Sequence, residues 1–102
     1  MLALTTEADQ QRAEDLAQQL LDRGLVACVS LQPLTSFYRW HGQVERAPEV
    51  QLLCKSTASA LPALEAAVRA LHSYDTPQWL VWPATASSDY ACWLAAEVLP
   101  GA

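Results

Sequence analysis

Positive charge is scarce in this sequence: six lysines and arginines face eleven aspartates and glutamates, giving a net charge of −5, and Lys55 is the single lysine. The arginines, Arg12, Arg23, Arg39, Arg46 and Arg69, are scattered. No basic stripe can follow a phosphate backbone, so nucleic acid is not an expected partner. Glycine is equally sparse. Gly24, Gly42 and Gly101 are isolated from one another, which excludes the common Gly-rich loops that cradle nucleotides at a helix start. Apolar residues never run to the ~20 needed to cross a bilayer, so no membrane span is expected. The segment Met1 to Glu7 lacks a basic n-region, unlike a secretory signal, and a cytoplasmic location is the expectation.

Cysteine is odd in number, and Cys28, Cys54 and Cys92 lie far apart among apolar neighbours. Such thiols read as small buried hydrophobes, not as a disulfide framework. Paired Cys or His at short fixed intervals are missing, so any metal site has to be assembled across the fold or between subunits. His41 and His72 are the only histidines, and neither stands in a nucleophile motif. The carboxylates Glu14, Asp15, Asp22 and Glu65 fall on solvated helix faces. No catalytic residue is assigned, and the chain is not expected to be an enzyme.

What is present is a chain of 102 residues, 52% apolar and 17% charged, which favours one folded domain over residues 1–102. Residues 1–6 read as a strand, with Thr6 and Asp9 as an N-cap arrangement. Ala13, Leu16, Ala17, Leu20 and Leu21 recur at helical spacing, and Gly24 is placed to end that helix. From Leu25 to Trp40 a long strand is expected, bent at Pro33. His41-Gly42 supplies turn chemistry, and a returning strand through Val50, Leu52 and Cys54 carries an irregularity at Arg46-Ala47-Pro48. Thr57 or Ser59 caps a second helix with Leu61, Leu64, Val68 and Leu71 as its stripe. Residues 78–83 form a further strand, and Ser88 or Asp89 caps a last helix bearing Tyr90, Trp93, Leu94 and Val98.

The order β-α-β-β-α-β plus a C-terminal helix predicts an α+β, ferredoxin-like sandwich with both main helices on one sheet face. The other face, and the hairpin aromatics Phe37, Tyr38 and Trp40, call for cover, most simply another copy of the chain. His72, in a loop with Asp75 nearby, is the best single metal-ligand candidate. Its alternative is a structural histidine whose ring bonds a loop carbonyl. Lys55 reads as an anion contact or as an ion-paired or snorkelled side chain.

Several segments resemble the CutA family of divalent-cation tolerance proteins. Leu25-Val26-Ala27-Cys28-Val29-Ser30-Leu31 is similar to its L-A-A-C-V-N-I strand, and Tyr38-Arg39-Trp40-His41-Gly42-Gln43-Val44-Glu45 to its Y-x-W-x-G-K-x-E hairpin tip. Leu52-Leu53-Cys54-Lys55-Ser56-Thr57 resembles L-x-x-K-T-T, residues 71–77 the H-P-Y-x-x-P-E loop, and Tyr90-Ala91-Cys92-Trp93-Leu94 the Y-x-x-W-L helix. The resemblance implies a non-catalytic homotrimer in the architectural group of the PII signalling trimers. It further implies a weakly bound Cu²⁺ or other divalent cation at His72 and Asp75, and a pocket or interface using Tyr38, Trp40, Lys55, Tyr74 and Trp93. Ser73 replaces the motif's Pro, and Gln78 its Glu, a neutral amide that is a poor ligand for a divalent transition metal. The alternative function is a PII-like module that holds a small anionic ligand near Lys55 and Tyr74 and reports it to a protein partner. A hydrolase of the acylphosphatase kind, which by resemblance needs an asparagine, does not suit a chain with none.

Overall fold

The computed structural model describes residues 1–99. The N-terminal strand β1 (Leu2–Glu7) leads into helix α1 (Gln10–Asp22). Asp9 is the N-cap, its side chain accepting the Arg12 amide at 2.8 Å. At the other end Gly24, at φ +70, lets its own amide reach Leu21 O while the Leu25 amide reaches Leu20 O. Those two bonds satisfy the last carbonyls of the helix in a Schellman arrangement, which requires a left-handed residue at this place.

Strands β2 (Cys28–Trp40) and β3 (Gln43–Lys55) form a hairpin closed by His41-Gly42, both at positive φ (49 and 75). Two successive left-handed residues make the turn whose twist matches that of paired strands. Pairing runs one to one from Cys28↔Lys55 to Trp40↔Gln43. The irregularity expected at Arg46-Ala47-Pro48 is therefore not found, and the ladder also runs unbroken past Pro33. Pro33 faces Val50 and Pro48 faces Thr35, two pairs apart and so on the same phase of the ladder. Both fit the pairs whose nitrogens point away from the partner strand, where a missing N–H costs no rung.

Helix α2 (Leu61–Leu71) follows, then the short strand β4 (Leu80–Trp82) and helix α3 (Ser88–Glu97). The caps differ slightly from expectation: Ala60 precedes α2 without a side-chain cap, and Ser87 caps α3 through the Tyr90 amide. The sheet order is β2-β3-β1-β4, with every neighbouring pair antiparallel. The fold is α+β, a four-stranded antiparallel sheet with three helices.

One sheet face presents Ala3, Val50, Leu52 and Cys54 to Ala13, Leu16 and Leu20 of α1 and to Leu64, Ala67 and Val68 of α2, all in one buried cluster. Burial of each large aliphatic side chain there is worth about 1.5–3 kcal/mol. Leu21, counted in the α1 stripe by spacing, is 42% exposed. α3 buries none of its own residues, and Tyr90 and Trp93 remain about two-fifths exposed. Phe37, Trp40 and Val44 at the hairpin tip are more than half exposed. The molecule extends 44 Å along its longest axis, close to the length of a thirteen-residue strand at about 3.4 Å per residue. Among the described residues, no helix is long and apolar enough to cross a membrane.

Candidate functional site

Two-residue periodicity in the hairpin places Ser36, Tyr38 and Trp40 on the sheet face away from α1 and α2, and the register sets Glu49 on the same side. The chain leaving α2 then crosses towards this face. Its first residues are fixed by buried polar contacts. The His72 side chain is 0% exposed, and its Nε2 lies 2.5 Å from the Thr6 carbonyl oxygen. A carbonyl can only accept, so Nε2 carries the proton, and Nδ1 accepts the Tyr74 amide at 3.0 Å. Glu7, 1% exposed, accepts the Ala8 amide at 3.0 Å, the Ser73 amide at 3.0 Å and the Ser73 hydroxyl at 2.5 Å.

So anchored, the loop delivers Tyr74 to the hairpin, where its hydroxyl donates to Glu49 Oε2 at 2.7 Å. Burial first, and then this bond to a carboxylate, raises the phenol well above the usual tyrosine range, and it stays protonated. Between loop and hairpin lies a groove of about 560 Å³. Its walls are Phe37, Tyr38 and Trp40 from β2, Glu49 from β3, and Tyr74, Asp75 and Gln78 from the loop. Thr6, Ser36 and Thr76 complete it. Its charged residues are both acidic.

Three comparisons place this geometry among known proteins. The family model of the CutA1 divalent ion tolerance protein matches residues 1–97. The chain belongs to the CutA1 family. Divalent-cation tolerance protein CutA of Citrobacter koseri is 40% identical over 100 residues, covering 96% of this chain and 87% of that protein. The Escherichia coli protein of the same name is also 40% identical, covering 96% and 89%. Among solved structures, CutA1 from Pyrococcus horikoshii superposes with a TM-score of 0.93 at 30% identity, covering 96% of this chain and 97% of that one. The PII-like protein CutA from Nostoc sp. PCC 7120 gives 0.91 at 28%, covering 97% of each. A relative from Archaeoglobus fulgidus, described as periplasmic, gives 0.93 at 29%, covering 96% and 97%. The CutA1 family is named for cation tolerance and not for a reaction, and nothing in the described residues points to catalysis.

Of the residues singled out from sequence, Tyr38, Trp40, Tyr74 and Asp75 meet in the groove. His72 does not line it; the ring sits behind the loop with both nitrogens used, so no lone pair is free for a metal in this arrangement. Its contact with the Thr6 carbonyl is the structural alternative, with a strand carbonyl in place of a loop carbonyl. No group of three His, Cys, Asp or Glu among the described residues is placed to hold a metal ion. Lys55 stands at the far end of the hairpin, its Nζ 2.5 Å from Ser30 Oγ and 3.5 Å from Cys28 Sγ. It stands six positions along β3 from Glu49, roughly 20 Å. Trp93 is on α3, tilted against Tyr90 at 5.4 Å. Sequence reasoning passed over Glu49 and Glu7. Strand phase could have placed Glu49 on the same sheet face as Tyr38, four pairs along the ladder, but nothing local tells that a loop after α2 returns to Glu49 or Glu7.

Proposed function

We propose that this CutA1-family protein is a non-catalytic homotrimer of ferredoxin-like subunits, acting as a PII-like binding module whose ligand seat is the groove between the hairpin and the 73–78 loop. The observation that carries the reading is the Tyr74–Glu49 bond. It ties the seat to a loop that buried contacts anchor on β1, so that occupancy can be felt in the body of the subunit. Assembly is supported by large apolar side chains outside the groove that a single chain leaves about two-fifths or more exposed, Tyr90 and Trp93 on α3 and Val44 at the hairpin tip. The strand order supports the ferredoxin-like description.

A divalent cation such as copper at His72 and Asp75 would have to displace either the Tyr74 amide or the Thr6 carbonyl from the ring. Leaving one buried polar group unpaired costs about 1–3 kcal/mol, so binding there is weak. We place the protein in the cytoplasm, where three unpaired cysteines suit a reducing compartment; export into the periplasm in a fractionation experiment would overturn that.

Light scattering at micromolar concentration is expected to give three times the 11.2 kDa chain mass, and a monomer would end the assembly reading. Calorimetric titration with copper(II), run beside His72→Ala, is expected to show no tight saturable heat. Tight binding lost in the variant would make this a metal protein instead.

A further inference from the structure

The hairpin outruns the rest of the fold. β1 pairs with β3 only from Leu2↔Lys55 to Glu7↔Val50, while β2 and β3 continue together from Leu34↔Glu49 to Trp40↔Gln43. No third strand flanks that stretch, and none of residues 34–49 is buried. A two-stranded ribbon without further support is marginal in water, and it bends most easily where its third strand ends.

Among the described residues, one side-chain hydrogen bond reaches this projecting half from outside the hairpin, the Tyr74 hydroxyl donating to Glu49 Oε2 at 2.7 Å. Glu49 is the first residue beyond the last β1 pair, and its side chain stands on the open face. The bond therefore holds the arm just where it leaves the sheet, and off the plane of the sheet, where it resists bending. Its other end does not give. The Tyr74 amide is held by His72 Nδ1 at 3.0 Å, the His72 ring by the Thr6 carbonyl, and Ser73 by Glu7 through both amide and hydroxyl. Thr6 and Glu7 are the last residues of β1, so the loop ties the arm back to the strand that stops short of it.

Leverage makes one bond matter. Trp40 lies six positions beyond Leu34, roughly 20 Å along the strand, so a tilt of about 10° at the root carries the tip by roughly 3 Å. Packed surfaces tolerate less, since a gap of about 0.5–1 Å already forfeits a quarter to a half of the attraction between two atoms. We infer that Tyr74 is a positioning residue: through Glu49 it sets the angle at which the hairpin leaves the sheet, and with it the fit of the arm on a second copy of the chain. The second half of the inference rests on the assembly reading, and it makes the loop after α2 a place from which assembly is controlled.

The test is hydrogen exchange at single amides, with light scattering on the same samples. In Tyr74→Phe, the amides of Ser36, Tyr38, Glu45 and Ala47 in the projecting half are expected to exchange about tenfold faster, while those of Gln32, Leu53 and Leu4 at the root keep the parent rates. Glu49→Ala should act alike, and the double variant should be no faster than either single one. Glu49→Gln, which keeps an acceptor for the phenol, should stay near the parent. Faster exchange throughout the chain would make Tyr74 a general support of the core; unchanged exchange, or simple addition of the two substitutions, would leave the arm unbraced. Each of these overturns the inference. In urea that brings the parent to half assembly, Tyr74→Phe should need about tenfold more protomer to reach the same point, equivalent to about 1.4 kcal/mol, and Glu49→Gln should not. A loosened arm with unchanged assembly refutes the link to assembly, whereas a monomeric parent refutes the trimer and leaves the exchange result to decide the brace alone.

Discussion

Replacing Ser73 by proline, the residue that the CutA motif carries here, is expected to destabilise this protein. Proline in a loop ordinarily stabilises by about 0.4–1 kcal/mol, by restricting the unfolded chain. Here position 73 supplies two of the three hydrogen bonds to the carboxylate of Glu7, one from its amide and one from its hydroxyl, and Glu7 is 1% exposed. A hydrogen bond to a charged group is worth about 1.5–3 kcal/mol. Ser73→Ala should therefore cost about that much, and Ser73→Pro about 3–6 kcal/mol, against a typical total of about 5–15 kcal/mol. The loss comes from stranding Glu7, so Glu7→Ala combined with Ser73→Pro should recover most of it, a coupling that a double-mutant cycle isolates. Urea unfolding of the four proteins at one fixed protomer concentration measures it, since stability of an assembly depends on concentration. If Ser73→Pro alone matches or exceeds the parent, or if the two substitutions simply add, the account of this loop is wrong.

Thiol reactivity should rank by burial: iodoacetamide at pH 8 is expected to label exposed Cys92 first, half-buried Cys28 next, and Cys54 only in denaturant. Burial pushes the Cys54 thiol up to about 12, and labelling of Cys54 alongside Cys92 in the native protein would contradict the sheet-face assignment. Tyr74 ionises later in the folded chain than in the unfolded one. Its contribution is thus complete below the unfolded value of about 10 and falls as pH rises beyond it, because the unfolded state loses its proton first. Unfolding curves from pH 8 to 11 should show this fall lessened in Tyr74→Phe; identical profiles would refute it. Gly24→Ala should lower stability by about 1–2 kcal/mol, the cost of an L-residue in the left-handed region, and more if Leu99 cannot yield, since the new Cβ would lie 2.5 Å from Leu99 Cγ. An unchanged melting temperature would count against that turn.

What could be read in the sequence was local. Asp9 and Gly24 bracket α1 because capping chemistry acts within a few residues, and His41-Gly42 closes the hairpin because only certain residues accept two left-handed conformations in succession. The irregularity expected at Arg46-Ala47-Pro48 is missing because a proline's effect depends on ladder phase, which the opposite strand sets. α3 shows a similar limit: Tyr90, Trp93, Leu94 and Val98 fall on one side of the helix by spacing, yet in the single chain Val98 is buried while Tyr90 and Trp93 stay about two-fifths exposed. At the site, Tyr38, Trp40, Tyr74 and Asp75 were recoverable through motif resemblance. His72 is a metal-ligand candidate in sequence because it lies in a loop after α2 with Asp75 nearby and belongs to no apolar period; the contacts that make it the structural histidine come from Thr6 and Glu7, over sixty positions away. Lys55 and Trp93 belong to other parts of the surface, a separation set by strand length and by the position of α3.

The phase of Pro33 also bears on how many copies can join. β2 is the longer of the sheet's two edge strands, and the outward row of donors along it is interrupted at that ring, near its middle. A foreign strand laid along this rim could pair only in a short stretch on one side of the gap. Endless rim-to-rim growth, the route to fibres, needs an uninterrupted row. An assembly of fixed size needs only local contacts, so this sheet suits a closed particle over an open-ended one.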